Sequence, residues 1–200
     1  MSQPVQEVYV IRHGETEWSL SGRHTGLTDL PLTVRGRKTA ELLRPVVAEP
    51  SFALILTSPL QRARHTCELA GLADQAQVTS DLEEWHYGDY EGLTTAQIHE
   101  QVPDWMIFSD GCPAGETPEQ VRIRVDRLMD VVKATVGHVA LFAHGHILRV
   151  FVARWLNFPV MAGGHFLLDT GTLNILSYDR GCPAVKRWNV QIADSIPLKT

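Results

Sequence analysis

Three short apolar runs, each stopping on unusual polar residues, do most to limit what this chain can fold into. Val8-Tyr9-Val10-Ile11, Phe52-Ala53-Leu54-Ile55-Leu56 and the stretch 138–143 are too short for buried helices and read as strands. They stop on Arg12-His13-Gly14, Thr57-Ser58-Pro59 and His144-Gly145-His146. Helical patterns lie between and after them. One spans 34–47, with Thr33 as N-cap and Pro45 and Pro50 closing its end. A second spans 60–70, started by Ser58 as cap with Pro59 at its first position. A third runs from Thr117 to about Thr135, with Val121, Val125, Leu128, Val131 and Val132 at helical spacing, and a fourth covers 147–156. A weaker strand at 76–79 and a short helix near 95–101 complete the middle of the chain. Strands alternating with helices predict an α/β fold, a three-layer α/β/α sandwich around a mainly parallel sheet. Late strands at 166–168, 172–178 and 185–189 would make that sheet mixed. No repeat or long linker divides the chain, so residues 1–200 read as one domain.

The chain has 200 residues, 44% of them hydrophobic and 20% charged, which suits a globular protein with a real core. Its net charge of −5 offers no basic field for nucleic acid, so any anion site must be a local gathering of cations. The three cysteines, Cys67, Cys112 and Cys182, show neither zinc spacing nor a disulfide framework, and a reducing compartment is the simplest inference. Met1–Glu7 does not resemble a signal peptide, and no apolar stretch reaches the roughly 18 residues of a membrane span. The expectation is a cytoplasmic protein with no membrane or nucleic-acid partner; whether it forms a homo-oligomer is left open.

Parallel strands set their carboxyl ends along one edge, so the polar residues that follow them can converge. If Arg12, His13, Arg62 and His144 meet, two guanidinium groups can clamp a phosphate while one imidazole attacks phosphorus and the other donates to a phosphoryl oxygen. Phosphoryl transfer asks mainly for positioning and positive charge, and this set supplies both without a metal or organic cofactor. Glu84 or Glu83, beside the apolar Leu82 and Trp85, is the candidate to protonate an alkoxide leaving group. His144 and His146 lack a third ligand at any recognised spacing, so no metal site is expected.

Four segments carry a resemblance: Arg12-His13-Gly14-Glu15-Thr16; Ser58 through Thr66 with Arg62; Leu82 through Gly92 with Glu84; and Ala143-His144-Gly145-His146. In this order they resemble the histidine phosphatases of the phosphoglycerate-mutase-like superfamily, over essentially the whole chain. The resemblance implies that His13 becomes phosphohistidine, that Arg12, Arg62 and His144 bind the phosphoryl group, and that Glu84 rather than Glu83 is the proton donor. It implies a rim drawn from Ser19, Arg23, His24, Thr25, Gly26, His86, Tyr87, Gly145 and His146. Ser19 stands where many members carry a longer asparagine. The wording of 26–33, 84–92, 110–117 and 142–149 is closest to the sedoheptulose-bisphosphatase-like branch, although this chain is shorter before Phe166. Between Leu93 and Val121 there is no Lys or Arg, a poor setting for gripping a second phosphate and a carboxylate. A phosphatase acting on a small phosphorylated metabolite, such as a sugar phosphate, therefore ranks above a cofactor-dependent phosphoglycerate mutase, a protein phosphatase or a non-catalytic phosphate binder.

Overall fold

The computed structural model describes residues 5–192; residues 1–4, part of the stretch read above as lacking a signal peptide, lie outside it. Strands β1 (Val8–Arg12), β2 (Phe52–Thr57), β3 (Ala76–Val78) and β4 (His138–Ala143) run parallel, and β5 (Thr172–Asp179) and β6 (Cys182–Gln191) complete one six-stranded mixed sheet in the order β3-β2-β4-β1-β5-β6. Side chains alternate across it as pleating requires. Val8 and Val10 of β1, with Val139 and Leu141 of β4, face one core cluster, whereas Ile11, Ala140 and Phe142 face the other. Helices α7 (Pro118–Ala134) and α8 (Gly145–Trp155) cover the first face; α3 (Arg44–Val47) and α4 (Gln61–Leu69) cover the second. The expected α/β/α sandwich is the observed fold.

Register brings the site together. Arg12 lies opposite Ala143 and Thr57 opposite Phe142, so the three parallel strands end level. The ladder runs one residue further on each side: the His13 N–H donates to the Ala143 carbonyl (2.9 Å) and the Ser58 N–H to the Phe142 carbonyl (3.0 Å).

Several local expectations are corrected. The helix expected over 34–47 is two, α2 (Val34–Leu42) and α3, because Pro45 lacks an N–H and cannot continue the first. Helix α4 starts at Gln61 with Leu60 at its N-cap, not under a Ser58 cap. Asp29, from a remote loop, accepts the Gln61 N–H at 2.7 Å, while the Ser58 hydroxyl is engaged with His144. On α7, Val131 is exposed and Met129 is buried in its place, since the stripe set by Val121, Val125, Leu128 and Val132 turns the 131 position outward. Residues 166–168 form no strand; they follow a 3₁₀ turn, Val160–His165, and the Leu168 carbonyl accepts a hydrogen bond from Arg12. Two short helices arise where loops were expected: α1 (Glu17–Ser21), whose Thr16 and Ser19 form a reciprocal capping box, and α6 (Ile107–Asp110). Helix α5 is Thr95–His99.

Gly14 directly follows His13 at the exit of β1. Its backbone is not in the left-handed region; it is needed for space. A Cβ there would lie 2.4 Å from the Gly36 carbonyl oxygen, and one on Gly36 would lie 2.2 Å from that of Glu15. The segment that follows β1 and the first turn of α2 thus touch backbone to backbone.

Candidate active site

A cavity of about 230 Å³ opens at the carboxyl edge of the sheet, lined by Arg12 and His13 from β1 and its exit, Glu84 and Tyr87 from the loop after β3, and Gly145, His146 and Arg149 from α8. Ser19, Arg23, His24 and Thr25 form much of the opposite wall. His13 is 5% exposed, and its Nδ1 lies 2.7 Å from the Gly14 carbonyl oxygen. A carbonyl only accepts, so Nδ1 carries the proton and Nε2 the lone pair. Nε2 has no protein partner and is not among the buried unpaired atoms, so it is the ring nitrogen open to the cavity.

Burial, followed by the charges of Arg62 and Arg12, lowers the His13 pKa well below the usual 6.5, while the Gly14 hydrogen bond opposes this only weakly. Only the neutral ring can attack phosphorus. With His13 as the nucleophile that the resemblance implies, protonation of its ring should set no acid limb of kcat/KM at or above pH 6.5, because that loss comes only as pH falls through the lowered pKa. A pH–rate profile on a substrate without ionisation in that range beyond its phosphate checks this; an acid limb above pH 6.5 contradicts it.

Arg62 is fully buried at the base of the site. Its Nε donates to His144 Nδ1 (3.0 Å), one terminal nitrogen to the Thr28 carbonyl (2.9 Å) and the other to the carbonyls of Thr25 (3.0 Å) and Gly26 (2.8 Å). His144 must then carry its proton on Nε2, which donates to Ser58 Oγ at 2.7 Å. Its ring lies 5.1 Å from that of His13, and burial with the Arg62 charge keeps it neutral. Arg62 and His144 thus stand behind His13 rather than lining the cavity, and most of their donors serve the protein. Arg12 differs: it lines the cavity, and the one acceptor its guanidinium meets among the described residues is the Leu168 carbonyl, so its charge and a terminal nitrogen are left for an anion there, while its buried Nε has no partner. Gly145 makes room for it, since a Cβ there would press on the Arg12 Cζ at 3.3 Å.

Of the two candidate acids, Glu84 lines the cavity at 5% exposure and Glu83 does not. Glu84 Oε1 accepts the N–H groups of Trp85 and Ile147 (both 2.9 Å), and Oε2 accepts that of His146 (3.0 Å). The carboxylate thereby caps the N-terminus of α8, whose His144 makes no side-chain cap. With one hydrogen bond against two, Oε2 is the oxygen with capacity for a proton.

The expected rim divides. Ser19 reaches the wall, but its hydroxyl donates to the Thr16 carbonyl and accepts the Thr16 N–H, so α1 capping occupies it. Arg23 lines the wall with its guanidinium over Trp18, 5.9 Å from the ring centre. His24, whose pKa burial lowers to about 4, packs on Tyr87 at 4.8 Å and on His146 at 5.7 Å. The Tyr87 hydroxyl and His146 Nδ1 share a hydrogen bond, with burial holding Tyr87 protonated and His146 neutral. Gly26 and His86 do not line the cavity. Gly26 is buried against Tyr87 and its N–H donates to Glu91; the His86 N–H donates to Glu116. Arg149, Leu168, Thr95 and Gly22 line the cavity and were not singled out from the sequence. Arg149 sits four residues after Gly145 on one helix face, a spacing that could have found it. Its Nε donates to the Gly163 carbonyl, and it stacks on Phe108 at 4.7 Å. Among the described residues, no group of three or more His, Cys, Asp or Glu side chains could hold a metal ion, and no helix is long and apolar enough to cross a membrane.

Residues 8–191 match the family model of the histidine phosphatase superfamily, branch 1. The chain belongs to the histidine phosphatase superfamily. Among similar members, an acid phosphatase of Mycobacterium tuberculosis is 40% identical over 176 residues, covering 86% of each chain. The sedoheptulose 1,7-bisphosphatase of Saccharomyces cerevisiae is 36% identical over 202 aligned positions, covering 85% of this chain and 74% of the yeast protein. The solved structure of an open reading frame product from M. tuberculosis superposes with a TM-score of 0.90 at 37% identity, over 94% of this chain and 99% of that one. The superfamily expectation drawn from the four sequence segments is thus the one the comparisons support.

Proposed function

We propose that this protein is a phosphomonoesterase that hydrolyses small sugar phosphates through a phosphohistidine on His13, without a metal ion. The observation that carries the reading is the single tautomer of His13, whose free Nε2 faces the cavity between the cations of Arg12 and Arg62. In the first step Nε2 bonds to phosphorus as the ester P–O bond breaks, and Glu84 protonates the departing alkoxide. In the second step Glu84 takes a proton from water, whose oxygen bonds to phosphorus as the P–N bond breaks and inorganic phosphate leaves. Arg12 holds the phosphoryl oxygens with the part of its guanidinium that lines the cavity and with its charge; Arg62 contributes chiefly charge, and His144 keeps Arg62 and Ser58 in register.

Size and wall chemistry support a compact, hydroxylated substrate. About 230 Å³ is small beside the roughly 300–1,000 Å³ of pockets for drug-sized ligands. The neutral His24 and His146, Tyr87, Thr25 and Thr95 offer uncharged partners to sugar hydroxyls. Relatives named acid phosphatase and sedoheptulose 1,7-bisphosphatase favour hydrolysis over transfer. The cation-free stretch 93–121 contributes only Thr95 to the wall, although Arg23 and Arg149 bring positive charge from elsewhere. The purified protein, assayed in chelator against a panel of triose to heptulose phosphates, should release inorganic phosphate from at least one. No release from any overturns the reading. Incubation with 3-phosphoglycerate and its bisphosphate primer tests the mutase alternative: isomer interconversion outpacing phosphate release would reverse the ranking.

A further inference from the structure

The loop that carries Glu84 has no sheet partner, only a 3₁₀ turn at Ser80–Leu82 before it. The Glu84 carboxylate is tied to Trp85, His146 and Ile147, and the backbone that carries it is held by a side chain from α7. Arg124 donates from one terminal nitrogen to the carbonyls of Asp81 (3.1 Å) and Glu83 (2.7 Å), and from the other to the carbonyl of Glu84 itself (3.4 Å). The rest of its fork closes on Glu116, from Nε to Oε1 at 3.0 Å and from the second terminal nitrogen to Oε2 at 2.7 Å. Glu116 completes the frame from the far side. Its Oε2 accepts the His86 N–H (3.0 Å), its carbonyl accepts Trp85 Nε1–H (2.9 Å), and its own N–H donates to the His86 carbonyl (2.8 Å). Three carbonyls before the acid's Cα–C unit is passed, and one amide after it, therefore hang from one ion pair. The pair is largely shielded, with side chains 12% and 21% exposed, unlike the Arg127–Asp81 pair one turn on, whose arginine is 59% exposed. Neither Arg124 nor Glu116 lines the cavity.

We infer that Arg124, clamped by Glu116, is a positioning residue for proton delivery: it sets where the Glu84 carboxyl stands relative to the leaving oxygen. It rests on the reading of Glu84 as the proton donor. Only a planar guanidinium reaches this many acceptors in one plane, so lysine does not replace it. A displacement of about 1 Å in a reacting group can cost on the order of a hundredfold.

Leaving-group dependence separates positioning from general support of the fold. A p-nitrophenyl ester departs without protonation, whereas an alkyl ester such as glycerol phosphate needs the proton. Because kcat/KM covers only the steps through departure of the alcohol, it isolates the first transfer. Arg124→Leu and Glu116→Gln should each lower kcat/KM at least about tenfold more on the alkyl ester than on the aryl ester, as misplacing a general acid worth about 10²–10⁴-fold requires. Arg124→Lys should show the same split and carries the test where the leucine variant does not fold. Equal losses on both esters would make the brace merely structural and overturn the inference. Glu84→Gln is assayed alongside. If it shows the split and the brace variants do not, the inference alone falls; if it shows no split, the reading of Glu84 falls and the inference with it.

Discussion

Replacing His13 by alanine is expected to lower kcat/KM on any phosphomonoester the protein hydrolyses by at least about a thousandfold, with the fold intact. The effect is large because the cavity offers no substitute. His146 faces it with Nδ1 tied to the Tyr87 hydroxyl, and His144 behind it has both nitrogens bonded. The buried cysteines are no rescue: burial raises the thiols of Cys67 and Cys112 to about 12. Arg12 and Glu84 remain in the variant, so substrate affinity should change far less than turnover. Phosphate release, an acid-quenched mass measurement for a phosphoryl adduct, and a far-UV spectrum check this together. Retained turnover, or a phosphoryl group trapped on another residue, would remove His13 from the reaction.

Gly36→Ala should destabilise the protein by about 3 kcal/mol, lowering Tm by roughly 6–12 °C for a chain of this size. Helix propensity alone gives the opposite sign, since alanine in a helix is favoured over glycine by about 1 kcal/mol. Close approach decides against propensity here. A Cβ on Gly36 would stand 2.2 Å from the Glu15 carbonyl oxygen and 2.7 Å from its nitrogen, and neither backbone atom can swing aside as a side-chain end could. Glu15 lies two residues after His13, and the Gly14 N–H donates to Thr66 Oγ1 at 3.0 Å. The strain therefore reaches His13, the nucleophile proposed above, and the folded fraction should also lose specific activity. Thermal and denaturant unfolding read the first effect. A Tm equal to or above that of the parent protein would show that the contact yields.

Much of this protein is legible in its sequence because its parallel strands obey a local rule: a short apolar run ending on polar residues deposits those residues on one edge. That rule carries Arg12, His13 and His144, and capping residues such as Thr33 and Thr117 locate α2 and α7. It fails where a partner is remote. Asp29 accepts the first N–H of α4, 32 residues away, while the Ser58 hydroxyl oxygen takes the Leu60 N–H and His144, and the helix begins later than its own sequence suggests. Likewise Ser19 reads as a rim residue where many members carry a longer asparagine, yet the backbone of Thr16 takes both sides of its hydroxyl.

From sequence alone come the α/β order, the superfamily, and the placement of Arg12 with His13, Arg62, Glu84 and His144 on four separate segments. The tertiary structure alone decided which nitrogen of His13 is free, which cations face the cavity, and what holds the acid. Those outcomes depend on hydrogen bonds between distant positions: Arg62 with His144 across 82 residues, Glu84 with His146 across 62, and Arg124 with Glu83 across 41. Donor and acceptor chemistry is local to each residue, but which donor meets which acceptor is set only when the sheet aligns its strand ends.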